Sequence, residues 1–250
     1  MHIILEFSSN GLFSLPLSHH HIIQGFIYNQ LRNNPDYSSF LHNIGFQSGD
    51  SERNFKMFTF SKLQGKYQII DKKICFYENF KLEISSIDNN FCNILINALF
   101  SNKNLEIAFQ PIKLEQLIIN DNRIEQNSIK IQMLSPVTIH QTFFDENNSK
   151  KTLYLSPDHN DFCEAINQNF HRKYQAYYGI ESTDNVFIEP IGFSQKNKYV
   201  TRFKNKIIII GWNGQFQLSA SSDTLNFLYQ CGLGSKNSQG FGLFNLLTYK

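Results

Sequence analysis

Residues 232–242 read Gly-Leu-Gly-Ser-Lys-Asn-Ser-Gln-Gly-Phe-Gly, a glycine-dense loop that holds Lys236, Asn237 and Ser238. Glycine lacks a Cβ, so its backbone can bring N–H groups close to an anion. Gly232, Gly234, Gly240 and Gly242 around one lysine are therefore expected to serve a phosphate. Two nucleotide-binding loops are excluded. A dinucleotide fold needs a third glycine where Asn237 stands, and a strand in front of the loop, where a helix is expected here. The phosphate loop of nucleotide hydrolases needs a lysine where Phe241 stands. A tight helix-to-strand connection with no ligand fits the same residues.

Histidines are the other residues with chemistry at neutral pH. His19-His20-His21 opens the first expected helix, but neighbours on a helix lie about 100° apart, so the three share no face and make no metal site. A place near phosphate suits them better, and one of them is an alternative acid or base. No other His, Cys, Asp or Glu grouping has metal-ligand spacing, and no carboxylate pair suggests glycosidase or two-metal chemistry. Neither a metal nor a cofactor is expected.

Charge is unevenly spread. Residues 190–250 carry seven basic side chains against Asp223 alone, a net +6, which leaves −4 for residues 1–189 of a chain at +2. A stretch nearly free of carboxylates suits a polyanion. Within it, Lys196–Lys206 interleaves with Tyr199 and Phe203. On a hairpin, Lys198, Arg202, Lys204 and Lys206 share a face open to a polyanion's phosphates, with Tyr199 and Phe203 on the core side.

The elements that must position these residues follow from periodicity. At 250 residues with 41 % hydrophobic side chains, including Phe 24, the chain can bury one or two cores, which excludes disorder. Its longest aliphatic run, Ile207–Ile210, is far too short to span a bilayer. Met1–Glu6 has no basic start or long apolar stretch, so no signal peptide is expected and the sequon at Asn147 is read as idle. Cys75, Cys92, Cys163 and Cys231 are scattered, as buried reduced thiols of a cytoplasmic protein would be.

The first half reads as a strand at His2–Phe7, then a helix capped by Ser18 with Ile22, Ile23, Phe26, Ile27 and Leu31 on one face. A short helix after Pro35 turns Phe40, Leu41 and Ile44 inward and stops at Gly45. His42 lies off that face and is an available imidazole. Strands near Phe55–Leu63, Lys66–Ile70, Lys73–Tyr77 and Lys81–Ser85 precede a helix capped by Asp88, and a strand at Lys113–Ile119 closes the unit. The second half repeats the order. Strands at Ile129–Met133 and Leu153–Leu155 are followed by a helix from Ser156 to Gly179. Strands at Val186–Gly192 and Tyr199–Leu218 lead to a helix capped by Ser222-Asp223, and a strand at Phe241–Leu247 ends the chain. The expected class is α+β, two tandem β-α-β-β-α-β domains with antiparallel sheets, residues 1–122 and 128–250, divided in the polar stretch Asn120–Asn127.

The glycine loop off a short C-terminal helix resembles the hallmark of the CRISPR-associated repeat-RNA endoribonucleases. Gln24-Gly25-Phe26-Ile27-Tyr28, Phe40-Leu41-His42, Phe55–Ser61 and Ser135-Pro136-Val137 are similar to that family's motifs in order and spacing, so the resemblance covers essentially the whole chain. It implies two ferredoxin-like, RNA-recognition-like domains, binding of CRISPR repeat RNA, and metal-independent cleavage within each repeat by 2′-hydroxyl attack. Matching residue by residue, it implies Tyr28, His42 and Lys56 as the catalytic set, with Lys62 and Arg53 as rivals to Lys56. The expected RNA-binding residues are those of the glycine loop, together with Lys198, Arg202 and Lys204 from the hairpin's alternation. Implied partners are precursor CRISPR RNA and subunits of CRISPR effector complexes, with no membrane, and the chain acting as monomer or homodimer. A non-catalytic RNA-binding scaffold subunit of the same fold is the alternative.

Overall fold

The computed structural model describes residues 1–47, 54–204 and 207–247. In the first half, strand β1 (His2–Ser9) is followed by helix α1 (His20–Leu31) and by α2 (Pro35–Ser39), which runs into one π turn at Phe40–Ile44. Then come β2 (Phe58–Phe60), β3 (Phe80–Ser86), α3 (Asn89–Ser101) and β4 (Gln110–Asn120). The strands lie in the order β2-β3-β1-β4, all neighbours antiparallel. The second half has β5 (Ser128–Met133), α4 (Phe162–Tyr178), β6 (Phe187–Ile191), β7 (Gln215–Ser219), α5 (Ser222–Cys231) and β8 (Phe244–Leu246). Its sheet order is β6-β7-β5-β8, again antiparallel. In both halves the order is second, third, first, fourth, which is the ferredoxin-like arrangement.

Each sheet buries one face under its own helices. Ile3, Leu5 and Phe7 of β1 alternate inward against Ile23, Phe26 and Ile27 of α1 and Phe91 and Leu95 of α3. Phe162, Ile166 and Phe170 of α4 and Leu225 and Leu228 of α5 close the second core over Ile131 and Phe216. The other face of the first sheet is covered by α5: Ser85 Oγ donates to Tyr229 O (3.1 Å), and His2 Nδ1 lies 3.0 Å from the Tyr229 hydroxyl. His2 Nε2 donates to Glu83 Oε2 at 2.8 Å, so that polar pair is satisfied inside the interface.

Several boundaries move from where the sequence placed them. Ser18 does not cap α1; it sits in a turn, and His19 precedes the helix without a side-chain cap. Ser156 does not open α4, because its hydroxyl donates to Asp158 and the helix waits until Phe162. The N-cap of α5 is Ser221, one residue earlier than expected, and it accepts from Thr224 N–H. Ile44 is exposed, because the π turn (Gly45 N–H to Phe40 O, 2.8 Å) spreads five residues over one turn and rotates Ile44 off the Leu41 face. The expected strand at Phe55–Leu63 is broken at Met57, whose φ of 52° turns the chain. A hairpin of His140–Phe144 with Lys150–Tyr154 was not expected in full. The Tyr199–Leu218 segment is a hairpin, Lys198–Phe203 with Ile207–Trp212, followed by β7. Asp88 caps α3 as expected, accepting from Asn90 N–H (2.9 Å). All four cysteines are unpaired, with Cys163 only half-buried. Among the described residues, no helix is long and apolar enough to cross a membrane.

Candidate active site and glycine loop

Tyr28, His42 and Lys56 come from three separate elements and meet. Tyr28 lies on the last half of α1 and sets its ring edge-on to His42, centroids 5.9 Å apart. Lys56 reaches the group because Phe46-Gln47 pairs antiparallel with Asn54-Phe55, which returns the chain beside the π turn. There its Nζ donates to His42 O at 3.0 Å. Gly45 makes this approach possible: its φ is 69°, and a Cβ would stand 2.5 Å from Phe55 O and 3.0 Å from Lys56 Nζ.

The protonation states follow from the partners. Asn43 Nδ2 donates to Ser39 Oγ (3.2 Å), which turns the Asn43 amide oxygen toward His42 Nδ1 at 2.9 Å. Nδ1 of His42 is therefore the donor, and in the neutral ring Nε2 carries the lone pair. His42 is exposed, so that nitrogen faces solvent. Burial pushes the Tyr28 hydroxyl up to about 12, and it stays a donor at neutral pH. Burial also lowers the pKa of Lys56. Among the described residues, no group of three or more His, Cys, Asp or Glu is arranged to hold a metal ion.

The glycine loop is packed tightly. Gly232, Gly234, Gly240 and Gly242 are buried with positive φ, and they admit protein rather than solvent. A Cβ on Gly234 would meet Thr138 O at 2.5 Å, and one on Gly240 would meet Phe60 Cε2 at 2.5 Å. These glycines thus allow a close approach of backbone to neighbouring chain, while Lys236, Asn237 and Ser238 remain half-buried at the loop's outer part. Lys173 of α4 holds the base of the loop: its Nζ donates to Gly232 O, to Gly234 O (3.2 Å) and to Asn237 Oδ1 (3.2 Å). Asn237 Nδ2 in turn donates to Leu233 O (3.1 Å) and Phe241 O (3.0 Å). Lys173 was missed in the sequence, although it breaks the apolar face of Phe162, Ile166, Phe170 and Tyr177 at helical spacing, and that was a legible signal.

The histidine run is divided by burial. His19 Nδ1 bonds Pro16 O (2.9 Å), and burial lowers its pKa. His20 is buried, stacked on Phe241 at 4.9 Å, with Nδ1 donating to Gln239 O (3.1 Å). Since Nδ1 donates, Nε2 accepts from the Tyr199 hydroxyl at 3.0 Å. Burial, with His19, Lys62 and His21 nearby, pushes His20 down to about 3, so it is a neutral strut and not the alternative acid or base. Lys62, the rival to Lys56, sits 4.0 Å over the Tyr199 ring and donates to Asn213 Oδ1 (3.1 Å), away from His42. Burial pushes it down to about 8.

On the Lys198–Phe203 strand, Lys198 and Arg202 are exposed together, while Phe203 is buried and Tyr199 half-buried, as alternation requires. Lys204 leaves that face, because it sits in a turn with a φ of 51°. Arg53, Lys206 and Lys250 lie outside the described residues.

Two family models match: CRISPR-associated protein Cas6, N-terminal, over residues 14–116, and CRISPR associated protein Cas6, C-terminal, over residues 119–246. The chain is similar to the CRISPR-associated endoribonuclease Cas6 1 of Methanocaldococcus jannaschii, 29 % identical over 246 residues, covering 97 % of this chain and 91 % of that protein. A solved structure of a CRISPR associated protein Cas6 superposes with a TM-score of 0.79 at 27 % identity, over 99 % of both chains. A Cas6-related protein from Pyrococcus furiosus shares the fold, with a TM-score of 0.84 at 19 % identity over 100 % of this chain and 99 % of that one.

Proposed function

The chain belongs to the Cas6 family of CRISPR-associated proteins, and we propose that it is an endoribonuclease that binds CRISPR repeat RNA and cuts the precursor transcript within each repeat. The reading is carried by the convergence of Tyr28, His42 and Lys56, three side chains distant in sequence that complete one set of chemical roles. Nε2 of His42 takes the proton of the ribose 2′-hydroxyl, and the 2′ oxygen attacks the adjacent phosphorus. The bond to the 5′ oxygen breaks, His42 returns its proton to that leaving oxygen, and the products are a 2′,3′-cyclic phosphate and a 5′-hydroxyl. Lys56 has protons to spare beyond the one on His42 O, and they steady the charge that builds on the phosphoryl oxygens. The Tyr28 hydroxyl, held protonated, orients the 2′ oxygen or the phosphate.

Labour is divided between the halves in this proposal. Residues 1–122 supply the reacting groups, and residues 128–250 supply the binding surface: Lys236, Asn237 and Ser238 on the loop, Lys198 and Arg202 on the exposed face of the hairpin, and Lys204 at its turn. The buried glycines Gly232, Gly234, Gly240 and Gly242 shape that loop.

The test is incubation of the protein with its repeat RNA in EDTA. Single cuts that end in a cyclic phosphate, lost by ~10²-fold or more in His42→Ala with affinity nearly intact, are expected. Full activity in His42→Ala removes His42 from the mechanism, activity abolished by EDTA removes metal independence, and binding without cleavage leaves a scaffold subunit.

A further inference from the structure

Helix α1 touches both parts of the machinery along one face. His20, Gln24 and Tyr28 are four residues apart, which places them one above another on the helix, spanning about 12 Å at 1.5 Å per residue. At one end, His20 donates to Gln239 O and Gln24 Nε2 donates to Ser238 O at 2.7 Å. At the other end, Tyr28 meets His42 edge-on. The base of the loop is held by Lys173 within the second half, whereas these two bonds to its apex come from the first half. Gly25, about 100° round the helix from Gln24, is exposed, and a Cβ there would meet nothing within 4 Å.

We propose that Gln24 is a positioning residue for RNA cleavage: by gripping the carbonyl of Ser238 it sets the register of α1 against the glycine loop, and so sets where Tyr28 stands relative to RNA held by that loop. The inference rests on the proposed function, because it takes Tyr28 as a member of the reacting group. Gln24 touches no reacting atom. It acts through the helix, whose hydrogen-bonded backbone transmits a shift at residue 24 to residue 28 one turn away. A displacement of about 1 Å in a reacting group is enough to cost up to ~10²-fold in rate, so loss of one anchor among two has a measurable effect.

The experiment measures single-turnover cleavage at saturating enzyme, together with affinity for the same RNA carrying a 2′-deoxy ribose at the cut. Gln24→Ala is expected to slow the saturated rate by about 10-fold while affinity stays within about threefold. Gln24→His, which restores a neutral donor of similar reach, is expected to recover most of the rate. Because both residues act on one geometry, Gln24→Ala combined with Tyr28→Phe is expected to be little slower than Tyr28→Phe alone. All rates are read well below each variant's melting temperature. A Gln24→Ala protein that binds more weakly but cleaves at the full saturated rate overturns the proposal, as do fully additive losses. A slow Tyr28→Phe with a fully active Gln24→Ala overturns the link alone. A fully active Tyr28→Phe overturns the assignment of Tyr28 and the link with it.

Discussion

Lys173→Met removes the cation beneath the glycine loop and leaves its shape nearly unchanged. Lys173 is 1 % exposed, and its ammonium satisfies three acceptors, Gly232 O, Gly234 O and Asn237 Oδ1. Asn237 cannot turn its amide to compensate, because Nδ2 already donates to Leu233 O and Phe241 O. The ammonium also sits at the C-terminal end of α5, where Gly232 is the capping residue and the helix dipole favours a cation. Each buried acceptor left bare costs about 1–3 kcal/mol. The gross loss of about 3–9 kcal/mol is reduced by no longer burying an ammonium, whose burial already lowers the pKa of Lys173. Removing one partner from a buried charged network typically costs about 3–5 kcal/mol net. For a chain of 250 residues each kcal/mol shifts the melting point by ~2–4 °C, so the expected fall is about 10 °C. Thermal unfolding followed by circular dichroism reads it directly. A melting point within about 2 °C of the parent protein would refute the reasoning, because the two carbonyls and the amide oxygen would then have other partners.

Two further outcomes follow from the same region. Gly240→Ala places a Cβ 2.5 Å from Phe60 Cε2 and 2.8 Å from His20 Nδ1 at a φ of 86°, and is expected to destabilise by about 2–3 kcal/mol in denaturant titrations; an unchanged midpoint sinks the idea that this glycine exists for packing. His20 is neutral in the fold down to about pH 3 but protonates near its ordinary value of 6.5 when unfolded. Below pH 6.5 the unfolded chain thus binds the extra proton, so stability is full above about pH 7.5 and declines by about 2 kcal/mol on going to pH 5. His19, pushed down by the same burial, adds to the slope. His20→Asn is expected to flatten the stability curve over that interval by about this amount, and an equal slope in parent and variant refutes the linkage.

The sheet-and-helix order was legible because each signal was local. Asp88 caps α3 and Phe91, Leu95, Ala98 and Leu99 are buried on one face, as 3.6-residue spacing requires. His42 was legible as an exposed imidazole because it falls outside the Leu41 face. Serines misled at two helix starts: the Ser156 hydroxyl found Asp158 first, and Ser18 lies in the turn before His19. The closeness of Tyr28, His42 and Lys56 was not legible in spacing, since it depends on a π turn and on a short strand pair that no periodicity announces. Resemblance to a family supplied that grouping. What the glycines pack against was not legible for a related reason. Composition shows that backbone approaches something closely, but only tertiary structure shows that the something is Thr138 O or Phe60.

Within the proposed reacting group, not every distance needs equal protection. Lys56 donates to the carbonyl of His42 itself, so the cation and the imidazole are carried by one residue and move together if the π turn shifts. Tyr28 has no such tie; it arrives on α1, and its contacts with His42 and Phe58 are ring edges at 5.9 Å, which resist sliding weakly. The variable most open to error is therefore the placement of α1 against the π turn. It is also α1 that the glycine loop holds, through Gln24 and His20. A buried, neutral His20 suits that duty better than a charged one, since it bonds Gln239 O and Tyr199 with one fixed pattern of donor and acceptor. The two histidines thus divide by environment: burial makes His20 a strut, while exposure leaves Nε2 of His42 facing solvent.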